Sequence, residues 1–94
     1  MKKRIECKVF GRVQMVMYRD FAARKARALG VVGEVKNEDD STVSLVGEGE
    51  EEKLLAFVDE LKKGSFLSHV ERVDVGWKES MGEFKDFHIK YENL

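Results

Sequence analysis

Arg19 closes a stretch that begins at Gly11 and reads Gly11-Arg12-Val13-Gln14-Met15-Val16-Met17-Tyr18-Arg19. An alternating apolar run comes before it and a helical pattern after it. A strand that stops, loops tightly and enters a helix leaves backbone N–H groups without partners at the helix N-terminus. Those donors and the helix dipole attract an anion. Gly11 permits a sharp exit from the strand. Arg19 falls in the first helical turn, where a cation opposes the dipole. An anion in the loop removes that conflict, because guanidinium and amides converge on one ligand. The planar guanidinium can also hold two phosphate oxygens at once. On residue types alone two readings stand: an arginine that grips a phosphate, or a surface arginine beside a structural turn.

The other residues capable of chemistry are weaker candidates. Cys7 is the single cysteine, so it forms no internal bridge. Its place in an alternating apolar run marks it as a buried strand thiol rather than a nucleophile. His69 and His88 lie far apart on predicted strands and lack ligand spacing. Glu38, Asp39 and Asp40 lack the spacing of a calcium loop and read as a solvated turn. Glu50, Glu51 and Glu52 suit the start of a helix better than acid catalysis. The expectation is therefore no metal and no cofactor.

The elements that must position these residues follow from periodicity. Ile5, Cys7 and Val9 alternate with Glu6 and Lys8 as a half-buried strand. From Arg19 to Leu29 the pattern is helical, with Tyr18, Ala22, Ala26 and Leu29 on one face and Gly30 as terminator. Val31 to Lys36 and Thr42 to Val46 form a hairpin around the polar turn Glu38-Asp39-Asp40-Ser41. A second helix follows Gly49, with Leu54, Phe57, Val58 and Leu61 as its apolar face. Lys62 and Lys63 occupy its last turn and Gly64 ends it. Val73, Val75 and Trp77 alternate as a fourth strand. Phe87, Ile89 and Tyr91 alternate as a short fifth strand at an edge. The order β-α-β-β-α-β with a final strand predicts an α+β, ferredoxin-like βαββαβ sandwich: an antiparallel sheet with two helices on one face. That fold hosts many functions and fixes none of them.

Size and charge narrow the rest. The 94 residues suit a single domain, 1–94, with no linker and no repeat, and 43% hydrophobic residues suffice for a modest core. The net charge of −1 gives no basic excess for a nucleic-acid partner. Lys2, Lys3, Arg4 and Phe10 hint only faintly at an RNA-binding sheet. Met1-Lys2-Lys3-Arg4 is basic, but the apolar segment of a secretory signal does not follow it, and no run is long enough to span a bilayer. The expectation is a cytoplasmic monomer without a nucleic-acid or membrane partner.

The stretch Gly11 to Arg19 resembles the acylphosphatase signature G-R-V-Q-G-V-x-[FY]-R. A second motif of that family, G-x-x-G-x-V-x-N before a turn, is matched by Gly30-Val31-Val32-Gly33-Glu34-Val35-Lys36-Asn37. Gly49, Gly64 and the run Phe87 to Tyr91 also fall at family landmarks, so the resemblance covers nearly the whole chain. It implies hydrolysis of an acyl phosphate to a carboxylate and inorganic phosphate. In that scheme Arg19 binds the phosphate, Asn37 positions the attacking water, and the backbone amides of Gln14, Met15, Val16, Met17 and Tyr18 form the phosphate cradle. A carboxylate leaves without protonation, so such a site needs neither a strong acid nor a titrating base. Asn37 would hold the water through its amide.

The chain departs from the family pattern at Met15, where glycine is usual. If that position needs a positive φ, a side chain there strains the cradle by about 1–2 kcal/mol. Ser41 replaces a turn glycine, Glu34 an aromatic residue, and Ser65 a proline. Met15 and Met17 are read either as an apolar rim to the loop mouth or as ordinary packing. The expectation is an active acylphosphatase. The alternative is a non-catalytic anion-binding domain of the same fold with Met15 as the lesion.

Overall fold

The computed structural model describes residues 1–91. Its elements run β1 (Lys2–Arg12), α1 (Tyr18–Ala28), β2 (Val32–Asn37), β3 (Val43–Glu50), α2 (Glu51–Lys63), β4 (His69–Glu79) and β5 (Phe87–Ile89). One five-stranded sheet has the order β4-β1-β3-β2-β5. β1 pairs antiparallel with β3 and β4, and β2 antiparallel with β3. The short β5 is the exception to the antiparallel pattern: it runs parallel to β2 at the sheet edge.

Alternation along β1 sorts the two faces. Ile5, Cys7 and Val9 are buried in one cluster with Tyr18, Phe21, Ala22, Ala23 and Ala26 of α1. Leu54, Phe57, Val58 and Leu61 of α2 join the same cluster, so both helices cover one side of the sheet. Burial pushes the Cys7 thiol up to about 12, which keeps it protonated and unreactive. α1 ends where the sequence places its stop. Gly30 takes φ 72° just after Leu29, a conformation that glycine adopts without steric cost.

The strand before the loop does not stop at Gly11, as the sequence suggested. β1 continues to Arg12 through a bulge at Phe10/Gly11 in its pairing with β4. Gly11 has φ 129°, and a Cβ there would overlap the His69 carbonyl oxygen and lie 2.8 Å from Glu71 N. The glycine therefore lets two backbones touch and shifts the register, rather than ending the strand.

The open face carries a buried charge cluster. Arg4 Nη1 donates to Glu48 Oε2 and to Glu83 Oε1, both at 2.8 Å, and Arg4 Nε donates to Glu6 Oε2 at 3.0 Å. Glu48 also accepts from Ser80 Oγ and from the N–H groups of Met81 and Gly82, each at 3.0 Å. Burial acts to raise the Glu48 carboxyl, but Arg4 and these donors outweigh it and hold it down at about 2. Phe84 lies under the Arg4 guanidinium at 5.9 Å. The cluster fastens the segment 80–86 that leads into β5. Arg27 of α1 fastens β5 itself through two hydrogen bonds to Phe87 O.

Candidate active site

The loop between β1 and α1 spans residues 13–17. Its two ends are fixed in the core by Val13 and Tyr18, which are both buried. Tyr18 Oη donates to Leu61 O at 2.7 Å, tying the start of α1 to the last turn of α2, and burial pushes its phenol up. Gln14 Nε2 donates to Glu38 O and Thr42 O, both at 2.8 Å. One side-chain amide thus joins the loop to the β2–β3 turn next to Asn37. Val16 packs against the core.

The first helical hydrogen bond runs from Phe21 N–H to Met17 O. Met17 is the residue before the helix and supplies no side-chain cap. The N–H groups of Tyr18 and Asp20 therefore have no partner inside the helix. Among the described residues, no backbone carbonyl accepts from the N–H of Met15, Val16 or Met17 either. This row of donors sits at the positive end of a helix dipole.

Met15 and Met17 both have φ 61°. The left-handed conformation that the glycine position implied for Met15 is present, and Met17, which the sequence did not single out for it, shares it. Each costs about 1–2 kcal/mol relative to an ordinary backbone angle. Neither side chain recovers that cost by packing, since Met15 is 99% and Met17 70% exposed. Ser41, at the other glycine-like position, also has a positive φ, 74°.

Beside the loop lies a cleft of about 430 Å³. Arg19 lines it from the first turn of α1 and Asn37 from the last residue of β2. Met15 and Met17 line its loop side, and Ile89 and Tyr91 reach it from the end of β5. The Arg19 guanidinium stacks over the Tyr91 ring at 5.1 Å. Asp20 also lines the cleft, its carboxylate engaged by Arg24 at 3.0 Å. Asn37 Oδ1 is buried and accepts no hydrogen bond from any described residue. An unsatisfied buried acceptor of that kind costs about 1–3 kcal/mol.

Arg19 and Asn37, chosen from the sequence as a pair, thus meet in one cleft together with Met15, Met17 and Tyr18. Gln14 and Val16 lie outside its lining. Sequence reasoning missed Asp20, Ile89 and Tyr91. Tyr91 and Ile89 were legible only as strand alternation, because their approach to the loop depends on β5 pairing with β2.

A larger depression of about 480 Å³ lies on the open sheet face. Of its charged lining residues, Glu6 pairs with Lys78, Lys36 with Glu38 and Lys8 with Asp40, and Glu34 Oε1 lies 3.0 Å from His88 Nε2. Arg4, part of the faint RNA-binding hint, is occupied in its buried cluster, and Phe10 is covered by Arg72 at 3.9 Å. Nothing in this depression converges on a single ligand as the cleft residues do.

The comparisons with known proteins agree on one family. The family model described as Acylphosphatase matches residues 5–89. A curated acylphosphatase of Thermus thermophilus is 45% identical over 86 residues, which is 92% of this chain and 97% of that protein. One of Salinibacter ruber is 37% identical over 89 residues, covering 95% of this chain and 94% of that protein. The crystal structure of an acylphosphatase from Bacillus subtilis superposes with a TM-score of 0.91 at 36% identity, over 97% of this chain and all of that one.

Proposed function

Since the chain belongs to the acylphosphatase family and hydrolyses acyl phosphates, we propose that Arg19 and Asn37 carry that reaction in the cleft at the start of α1. The phosphate is held by the Arg19 guanidinium and by the backbone amides from Gln14 to Tyr18. Asn37 holds a water in line with the bond to the carboxylate leaving group. Charge spread over the phosphoryl oxygens in the transition state meets fixed N–H groups and one guanidinium, so little reorganisation accompanies the step. The carboxylate leaves as a stable anion, and the proton of the attacking water passes to the phosphate. Neither a titrating side chain nor a metal is required by this scheme. The two products are a carboxylate and inorganic phosphate.

The observation that carries this assignment is Asn37 Oδ1, buried without a partner among the described residues, in the same cleft as Arg19. A water donating to that oxygen satisfies it and is thereby oriented toward the phosphate site. Hydrolysis of benzoyl phosphate by the purified protein tests the roles. Arg19→Ala is expected to lower kcat/KM by roughly 100- to 1,000-fold, as removal of a transition-state donor does. Asn37→Ala should lower kcat more than it raises KM. Wild-type turnover in either variant would overturn the assignment of that residue.

The same reading extends to a single-domain, cytoplasmic monomer that acts on small acyl phosphates without a nucleic-acid or membrane partner. It is supported by the buried, unpaired Cys7 thiol and by a net charge of −1. Among the described residues, no helix is long and apolar enough to cross a membrane. Sedimentation analysis tests the monomer, with a concentration-dependent dimer as the contrary result.

A further inference from the structure

We propose that Met15 and Met17 form the acyl-binding lip of the cleft and select substrates whose acyl group is an apolar chain of several carbons. The inference rests on the phosphate site proposed above and concerns the part of the substrate that this site leaves unassigned.

Three observations carry it. The first is composition. The cleft holds its charge at the helix start, in Arg19 and in an Asp20 already engaged by Arg24, while Met15, Met17, Ile89 and Tyr91 supply apolar surface around it. An acyl phosphate has the same division, a charged end and an uncharged end. The second is exposure. Nine large hydrophobic side chains are exposed among the described residues, and three of them, Met15, Met17 and Tyr91, line this one cleft. Exposed apolar residues scattered singly need no explanation, but several gathered around a binding site do.

The third is the backbone. Met15 and Met17 hold left-handed angles that disfavour any side chain, and both side chains project into solvent. Folding gains little packing from them. A strained, exposed and apolar pair at a functional loop points to contact with a ligand rather than to the core. Methionine suits the task, because an unbranched thioether adapts to chains of different shape.

The test compares kcat/KM for acetyl phosphate and hexanoyl phosphate with the purified 94-residue chain. The wild type should favour hexanoyl phosphate by on the order of tenfold, because an open lip covers only part of each added methylene. In the double variant Met15→Gln/Met17→Gln the ratio should fall to about one. Met15→Leu/Met17→Leu should retain most of the preference. The loop amides belong to the phosphate cradle, so damage to it lowers both rates and cancels in the ratio.

A wild-type ratio near one, or a ratio unchanged in the glutamine variant, would overturn the proposal. Loss of turnover on both substrates by the wild type would strike the hydrolytic roles instead. The lip is then still decided by calorimetric binding of methylphosphonate and hexylphosphonate. Tighter binding of the longer chain that disappears in the glutamine variant supports it, and equal binding of the two sinks it.

Discussion

At the scale of single residues, Met15 combines two costs, a left-handed backbone and a side chain left in water. Glycine removes the first but adds flexibility to the unfolded chain. Relief of about 1–2 kcal/mol against a penalty of about 0.5–1 kcal/mol leaves Met15→Gly more stable by roughly 0.5–1 kcal/mol. A higher urea midpoint with an unchanged m-value is the expected result, and a lower midpoint would show that the methionine packs in solution. Gly11 is the opposite case. A methyl group there meets the backbone at His69 and Glu71, where nothing flexible can yield, so Gly11→Ala should cost about 3 kcal/mol or more. The two positions differ in how far the sequence revealed them. Gly11 and Met15 belong to a recognisable motif, so a special backbone was legible at both. Met17 gives no such signal, because a methionine does not announce a positive φ. The pairing of Arg19 with Asn37 was legible from motifs, whereas the stacking of Arg19 on Tyr91 was not.

At the scale of elements, periodicity located all five strands and both helices but placed several ends short. β4 begins at His69 rather than near Val73, because the register shift opposite Phe10/Gly11 passes over Glu71 and breaks the two-residue alternation between Val70 and Val73. β3 runs on to Glu50 through Gly47 and Gly49, which the sequence reading took as the end of the strand. A Cβ at Gly47 would press on Val31 Cγ1 at 3.0 Å, so the glycine serves packing rather than a turn. The parallel pairing of β5 could not be read from a three-residue pattern. Nor could the burial of Arg4, which looked like part of a basic start, since its partner Glu48 lies two strands of sequence away. That cluster makes two predictions. Arg4→Met leaves Glu48 charged and poorly compensated, and should destabilise the fold by about 3–5 kcal/mol in urea titration. Glu48 is held at about 2, below its ordinary 4.5. Its contribution to stability is therefore full above about pH 4.5 and is lost as the pH falls toward 2. Glu48→Gln should be less stable than wild type at pH 7, and the gap should narrow by pH 3. A gap independent of pH would show that the carboxylate charge is immaterial.

At the scale of the whole molecule, the proposed phosphate site couples ligand to fold. Inorganic phosphate that binds only the native state stabilises it by about 1.4 kcal/mol at ten times its Kd. For a domain of this size that corresponds to a rise in Tm of roughly 5–10 °C. Arg19→Ala should abolish the rise, and sulfate should reproduce part of it in the wild type. A phosphate effect that persists in Arg19→Ala would locate the anion elsewhere. The sheet order has a further consequence, in time rather than in energy. The cleft takes one wall from the loop after β1, one from the end of β2 and one from the residues after β5, and β3 lies between β1 and β2. No two adjacent segments of the chain can build it alone. Such remote pairings are reached slowly, because each must close a long loop before it is rewarded. β5 pairs with β2 across the intervening β3, α2 and β4, so recovery of hydrolytic activity during refolding should be the last signal to appear, after the helical one has already levelled off.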